Sequence, residues 1–285
     1  MYNILVTGGA GFVGSHLCEK LVELSHHVVS LDDYSMGSED NHVEGVTYIN
    51  GNTQNISSLI PFSVDYVYHL GEYSRVEQSF EDYEKVWQSN ILGTKAVLDY
   101  VKQSGAKLMY SGSSTKFANV EVKSPYQWSK ASNTEFVKNF CEWNKIEYAI
   151  TYFYNVYGKR EISHGKYATL IAKFREAMKN DEPLTVVSPG IQTRNFTHVD
   201  DIVDALILVG FNGIGDEFGI GNDTDYSILK VTAMFGGKVQ TLDPRPGNRM
   251  GAPVMDQRTR ELGWVPTRNL EDWINTLKEN NWNVK

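Results

Sequence analysis

The stretch Asn3-Ile4-Leu5-Val6-Thr7-Gly8-Gly9-Ala10-Gly11-Phe12-Val13-Gly14 decides the fold. Asn3 to Thr7 is a continuous β-type run, as expected for a strand buried on both faces. The glycines follow at once. Ser15 to Leu24 then places Leu17, Leu21 and Leu24 at helical spacing. A glycine turn between a strand and a helix is the context a dinucleotide site requires. Gly8 permits the tight exit from the strand, Gly11 lets a pyrophosphate approach the backbone, and Gly14 lets the helix pack closely on the sheet. The helix start offers unpaired N–H groups to phosphates. His27 to Leu31 reads as a second strand ending at Asp32-Asp33. Asp32 is placed to accept hydrogen bonds from adenosine ribose hydroxyls, and its charge repels a 2′-phosphate, so NAD is expected over NADP. Asp33 has two open readings, a second ribose contact or a solvated side chain.

Working outward, the alternation continues. Strands are expected over Val64–Leu70, Lys107–Ser111 and Glu147–Phe153, and helices over Tyr83–Lys102 and Ser129–Glu142. Alternating elements imply an α/β fold, a doubly wound parallel sheet of the Rossmann type. Past Lys159, prolines and glycines recur at Pro183, Pro189-Gly190, Pro244, Pro246-Gly247, Pro253 and Pro266. This predicts an NAD-binding domain over 1–160 and a smaller C-terminal substrate-binding domain over 161–285. Returns to the large domain are expected near 195–221, where Asp200–Val209 reads as a helix and Glu217–Gly221 as a strand.

Composition narrows the function. The 285 residues are 41% hydrophobic and 22% charged, a balance that argues against disorder and repeat solenoids. A net charge of −8 argues against a general polyanion binder, so no nucleic-acid partner is expected. Two distant cysteines, Cys18 and Cys141, give neither a disulfide framework nor metal spacing. No metal is expected. No secretory signal or bilayer-length apolar run is visible, so the expectation is a cytoplasmic protein with no membrane partner.

Tyr126-Gln127-Trp128-Ser129-Lys130 contains Tyr-x-x-x-Lys, a spacing that chance supplies easily; Tyr226 to Lys230 repeats it. Context separates the two. Tyr126 follows Pro125 at a helix start, so Tyr126 and Lys130 lie one turn apart on one face. Upstream stands the strand-end run Ser111-Gly112-Ser113-Ser114. Tyr226 to Lys230 has neither, and carries no assignment. A phenol with an ordinary pKa of about 10 is a poor base at neutral pH. A lysine one turn away and a positive nicotinamide ring both favour the phenolate, and lowering it by about three units needs roughly 4 kcal/mol. Tyr126 is then placed to take a proton from a substrate hydroxyl, with Ser113 sharing a hydrogen bond to that oxygen.

With these motifs in order, the chain resembles the extended short-chain dehydrogenase/reductases that act on nucleotide sugars, in the NAD-dependent epimerase/dehydratase group. Thr7–Gly14 resembles the cofactor loop, and Ser113, Tyr126 and Lys130 resemble the catalytic trio. Asn155-Val156-Tyr157-Gly158 is similar to the family's segment after the last core strand, and Arg194-Asn195-Phe196-Thr197-His198-Val199-Asp200-Asp201 to its diphosphate-arginine stretch. Arg245-Pro246-Gly247-Asn248 resembles the second diphosphate arginine, and Leu262-Gly263-Trp264 with Pro266 the C-terminal signature. The resemblance implies a cofactor side made of Gly8, Gly11, Phe12, Val13, Gly14, Asp32, Asp33, Asn52, Thr53, Leu70, Gly71, Glu72, Ser111, Tyr126, Lys130 and Phe153. It implies a substrate side of Ser113, Ser114, Asn155, Arg194, Arg245 and Arg75. His198, Tyr157 and Trp264 are read as structural.

Three departures matter. Asn52 stands where the family has an adenine-contacting aspartate. Glu72 and Arg75 are unusual beside a nicotinamide, where they would touch substrate or tune the ring. Ser114-Thr115 occupy the places of the dehydratase Asp-Glu pair and cannot act as carboxylate acid or base, which disfavours a 4,6-dehydratase and a decarboxylase. The resemblance therefore implies an enzyme that oxidises the sugar C4 hydroxyl of a UDP- or GDP-linked sugar, a 4-epimerase first. The alternatives are a dehydrogenase releasing the 4-keto sugar and a non-catalytic NAD-binding sensor. It also implies a homodimer, with Ile91–Val101 as one paired helix.

Overall fold

The computed structural model describes residues 1–117, 122–244, 250–251 and 254–284. The chain begins β1 (Asn3–Thr7), α1 (Phe12–Glu23), β2 (His27–Asp32), β3 (Val46–Asn50) and β4 (Tyr66–His69). It continues with α2 (Thr94–Ser104), β5 (Lys107–Ser111), α3 (Pro125–Asn144) and β6 (Tyr148–Phe153), then α4 (Leu170–Lys179), α5 (Val199–Asn212) and β7 (Gly215–Ile220). Two further helices are α6 (Ile228–Phe235) and α7 (Leu270–Glu279). The seven strands form one parallel sheet in the order β7-β6-β5-β4-β1-β2-β3.

Side chains alternate across each strand, so β1 feeds two cores. Ile4 and Val6 pack with Leu17, Leu21, Ile202 and Leu206 from α1 and α5. Leu5 faces the other way, toward Val97, Val101, Val137 and Ile150. A strand buried on both faces is the physical reason for its unbroken apolar run.

The strand β3 has no counterpart in the expectations. It is the edge of the sheet, only partly buried, and its Val46-Thr47-Tyr48-Ile49-Asn50 pattern is too mixed to stand out. The helix expected over Tyr83–Lys102 is a composite: Tyr83–Val86, a π-helical segment Trp87–Gly93, then α2. The helix expected from Ser129 starts earlier because Ser124 caps it. The Ser124 hydroxyl accepts from the Gln127 amide while the Gln127 side chain accepts from the Ser124 amide, with Pro125 in the first turn. This reciprocal cap fixes where Tyr126 leaves the helix.

The second part of the chain builds a small cap from Leu184–Val187 beside Val239–Leu242, and Thr193–Asn195 beside Asp225–Ser227, packed on α4, α6 and α7. The chain crosses back in between. α5 packs under the main sheet and β7 adds to β6. Trp264 sits in the large core and donates its indole N–H to the Asp201 carbonyl at 2.9 Å. His198 caps α5 by accepting from the Asp200 amide and lies edge-on to Tyr157 and Trp273.

Glu161 is buried beside the cap, accepting from the Thr169 hydroxyl at 2.6 Å and the Gly158 amide at 3.2 Å. Burial pushes its carboxyl up to about 7. The folded chain thus holds this proton more tightly than the unfolded chain, whose value is about 4.3. The associated stability is present below the unfolded value and is lost as pH rises through about 7. Glu161→Gln should therefore raise stability at pH 8 by on the order of 1–2 kcal/mol and change it little at pH 5. Thermal unfolding at the two pH values checks this; equal shifts would contradict it.

Candidate active site

A cavity of about 650 Å³ opens where the carboxyl ends of the sheet strands face the cap. At one end lies the glycine turn. Gly8 has φ +76°, a conformation that side chains rarely adopt, and a Cβ on Gly14 would stand 2.0 Å from the Gly8 carbonyl oxygen. α1 begins at Phe12, and Gly11 before it supplies no side-chain cap. Among the described residues, no acceptor meets the Phe12, Val13 and Gly14 amides. Those amides point where a pyrophosphate would sit. The turn therefore fits a dinucleotide.

Asp32 stands at the end of β2, accepting from the Ala10 amide at 2.9 Å and the Tyr34 amide at 2.8 Å. Burial pushes its carboxyl upward against those two bonds. Asp33 is exposed at the rim and accepts from the Ser35 amide. Thr53, Leu70, Gly71, Phe153, Phe12 and Val13 line the cavity. Asn52 does not. Its side chain accepts from the Gln54 amide at 2.9 Å and donates to Asp33 at 3.3 Å, so it shapes the rim of the pocket.

Toward the cap, Tyr126 donates its hydroxyl to Ser113 Oγ at 3.1 Å, and Ser113 lies 2.9 Å from the Thr115 hydroxyl. Lys130 is one helical turn on. Its ammonium donates to the Ser111 carbonyl and to the Glu72 carboxylate, and lies 4.6 Å from the centre of the Tyr110 ring. Both members of this ion pair are buried, with side chains 5% and 3% exposed. Glu72 also accepts from Thr94 at 2.7 Å, Asn133 at 2.8 Å and Tyr110 at 3.1 Å. Burial alone would raise its carboxyl, but Lys130, His69 and these hydrogen bonds hold it below the ordinary carboxylate range.

The network continues inward. Burial drives His69 down to about 4, so the ring is neutral at physiological pH. The Thr94 hydroxyl donates to Glu72 and so accepts from His69 Nε2–H at 3.0 Å. His69 Nδ1 then accepts from Thr7, whose oxygen accepts from the Gly71 amide at 3.0 Å. A continuous, dry chain of hydrogen bonds thus joins the cofactor turn to Lys130.

On the substrate side, Asn155 donates to the Asn195 carbonyl at 3.2 Å and Arg194 to the Thr193 carbonyl at 2.7 Å. Both line the cavity, as do Ser114 and Arg75. Arg245 lies outside the described residues. Tyr226 and Lys230 do touch, the ammonium 4.9 Å from the ring centre, but Tyr226 is packed in the cap core, Lys230 is exposed, and neither lines the cavity. No local pattern in the chain accounts for what holds Glu72. Asn133, three residues after Lys130 on the same helix face, was the available signal. Asn90 was also missed; from the π-helical segment it grips the Tyr73 amide and carbonyl and the Ser129 hydroxyl.

The model of the NAD dependent epimerase/dehydratase family matches residues 4–221. The chain belongs to that family. Like its family, it is an NAD-dependent enzyme, and the glycine turn and Asp32 are the parts of this chain that suit the cofactor. A putative UDP-glucose 4-epimerase of Methanocaldococcus jannaschii is 28% identical, over 98% of this chain and 99% of its own. Among solved structures, the UDP-glucose 4-epimerase of Thermotoga maritima with UDP-glucose is 26% identical, with TM-score 0.89 over 98% and 99% of the two chains. The UDP-glucuronic acid 4-epimerase of Bacillus cereus with UDP-glucuronic acid and NAD is 26% identical, with TM-score 0.87 over 98% of each.

For this family member, Glu72→Leu should cost about 3–5 kcal/mol, because it leaves the Lys130 ammonium buried without its counter-charge. Adding Lys130→Met should recover most of that stability while leaving no turnover. Chemical denaturation of the single and double variants checks this; a double variant as unstable as the single would show that packing, not charge, sets the loss.

Proposed function

We propose that the protein is a nucleotide-sugar 4-epimerase that oxidises and re-reduces the C4 position of a UDP- or GDP-linked sugar. The observation that carries this reading is the Tyr126–Ser113 hydroxyl pair in the cavity, one turn from Lys130, with Ser114 and Thr115 offering no carboxylate beside it. The relatives whose names are 4-epimerases, matched along nearly their whole length, support it.

When bound, NAD supplies the acceptor for the hydrogen leaving C4. Gly8, Gly11, Gly14 and Asp32 would hold its adenosine diphosphate half, and Lys130 would reach its nicotinamide ribose. Tyr126 Oη accepts the proton of the sugar hydroxyl, and Ser113 Oγ keeps that oxygen in place. Ser113 is itself oriented by Thr115, and Tyr126 by the cap at the start of α3. Arg194 and Asn155 grip the diphosphate, where a guanidinium fork suits two phosphate oxygens. A tight grip on the diphosphate with a loosely held sugar allows the oxidised ring to turn and present its other face.

The protein also carries an apolar helical face. Tyr83, Trp87 and Trp128 are 58%, 45% and 47% exposed on adjoining helices, and the two indoles stack at 6.0 Å. Large exposed aromatic patches of this kind mark association surfaces. The proposal is a homodimer formed by the Tyr83–Ser104 and Pro125–Asn144 helices. Both cysteines are free and buried, which suits a reducing, cytoplasmic setting.

Tyr126→Phe should lower turnover of UDP- or GDP-sugars by about a thousandfold while NAD stays bound. Assays of sugar interconversion alongside cofactor content check this, and undiminished turnover would remove Tyr126 from its role. Trp87→Glu should convert the dimer to monomer in sedimentation or light scattering; an unchanged mass would place the interface elsewhere.

A further inference from the structure

Arg75 reaches into the same cavity wall as Ser113 and Tyr126. Its Nε donates to the Tyr167 carbonyl at 2.7 Å, and its Nη1 to the Ser74 carbonyl and hydroxyl at 3.0 and 3.1 Å. These bonds fix the plane of the guanidinium but neutralise none of its charge. Among the described residues, Nη2 has no acceptor and no carboxylate lies within ion-pair reach.

The nearby acids are committed elsewhere. Glu72 is paired with Lys130. Asp82 is held by Lys166 at 2.9 Å and Lys85 at 3.2 Å, and by the hydroxyls of Tyr73 and Tyr167. Glu161 is bound by Thr169 and Gly158, and burial carries it toward its neutral form. Glu77 has a partner of its own. Burial pulls the Arg75 guanidinium below its ordinary value. Arg75 is half-buried in the cavity wall, and a cation there without a counter-ion is a ready partner for an anion that arrives with the ligand.

Its position says where on the ligand the anion lies. Tyr126 addresses the hydroxyl on C4, and Arg75 lines the same cavity as Tyr126 and Ser113, so the group facing Arg75 is assigned to the sugar near C4. On a hexose C4 lies between C3, whose hydroxyl is neutral, and C5, whose C6 substituent has an ionised form, a carboxylate. We propose that Arg75 selects a nucleotide-linked hexuronic acid by forking onto the sugar C6 carboxylate. This rests on the nucleotide-sugar reading above and names the sugar class within it.

The test compares matched pairs: UDP-glucuronate against UDP-glucose, and GDP-mannuronate against GDP-mannose. Wild-type protein should favour the acidic member of one pair at least about tenfold in kcat/KM. Arg75→Gln should reduce the acidic-to-neutral ratio by at least about thirtyfold, the scale of truncating one partner of a buried charge pair. Arg75→Lys, which keeps the charge and loses the fork, should retain part of the preference. Because Arg75 also ties down the Tyr167 carbonyl, Tyr126→Phe protein with Arg75 intact provides a second measure. It should bind the acidic sugar more tightly than the neutral one in titration calorimetry, with the difference shrinking at high salt.

A preference for the neutral sugar overturns the proposal. So does an equal loss on both sugars and on free UDP in Arg75→Gln, which would assign the guanidinium to the diphosphate. Wild-type protein inert toward all four sugars overturns the nucleotide-sugar reading itself, and this proposal with it.

Discussion

Lys130 carries a charge into a part of the molecule that excludes water, and the surroundings of the cavity are organised to meet it. Its ammonium is held between the Ser111 carbonyl at the end of β5 and the Glu72 carboxylate just past β4. Glu72 in turn collects Thr94 from α2, Asn133 from α3 and Tyr110 from β5. One ion pair therefore locks two strand ends and two helices together. A buried pair of this kind adds little stability over an apolar substitute, yet losing one partner alone is severe. Its value here is positional. It fixes where Lys130, and through the helix Tyr126, stand relative to the cofactor turn.

The sheet explains why the site lies where it does. β1 sits between β4 and β2, so the chain leaves the sheet in opposite directions on either side of it. A crevice forms at that reversal beyond the carboxyl ends of the strands. Gly14 approaches Gly8 too closely for any side chain between them, which lets the uncapped start of α1 face the crevice. The cap closes the far side with Arg194 and residues of its own short strands. The charges divide accordingly: Asp32 at the adenosine end, a neutral Lys130–Glu72 pair in the middle, and Arg75 with Arg194 toward the sugar and diphosphate.

Much of this was legible in the chain itself. The apolar run of β1, the glycines, the acidic end of β2 and the Tyr126–Lys130 spacing are local features, set by periodicity and by steric demands within a few residues. They determine the sheet class, the cofactor turn and the helix face that carries the tyrosine. What local pattern cannot encode is which distant groups meet. Glu72 and Lys130 are 58 positions apart, and only the packing of α3 against β4 and β5 brings them together. The edge strand β3 escaped because its half-exposed face blurs the alternation. Asn52 became a cap and an Asp33 partner because the turn after β3 aims its side chain along the backbone. The sequence thus settled the elements and the residue types at the site, through short-range geometry. The tertiary structure alone decided how the charges pair, because an ion pair depends on distance through space and not along the chain.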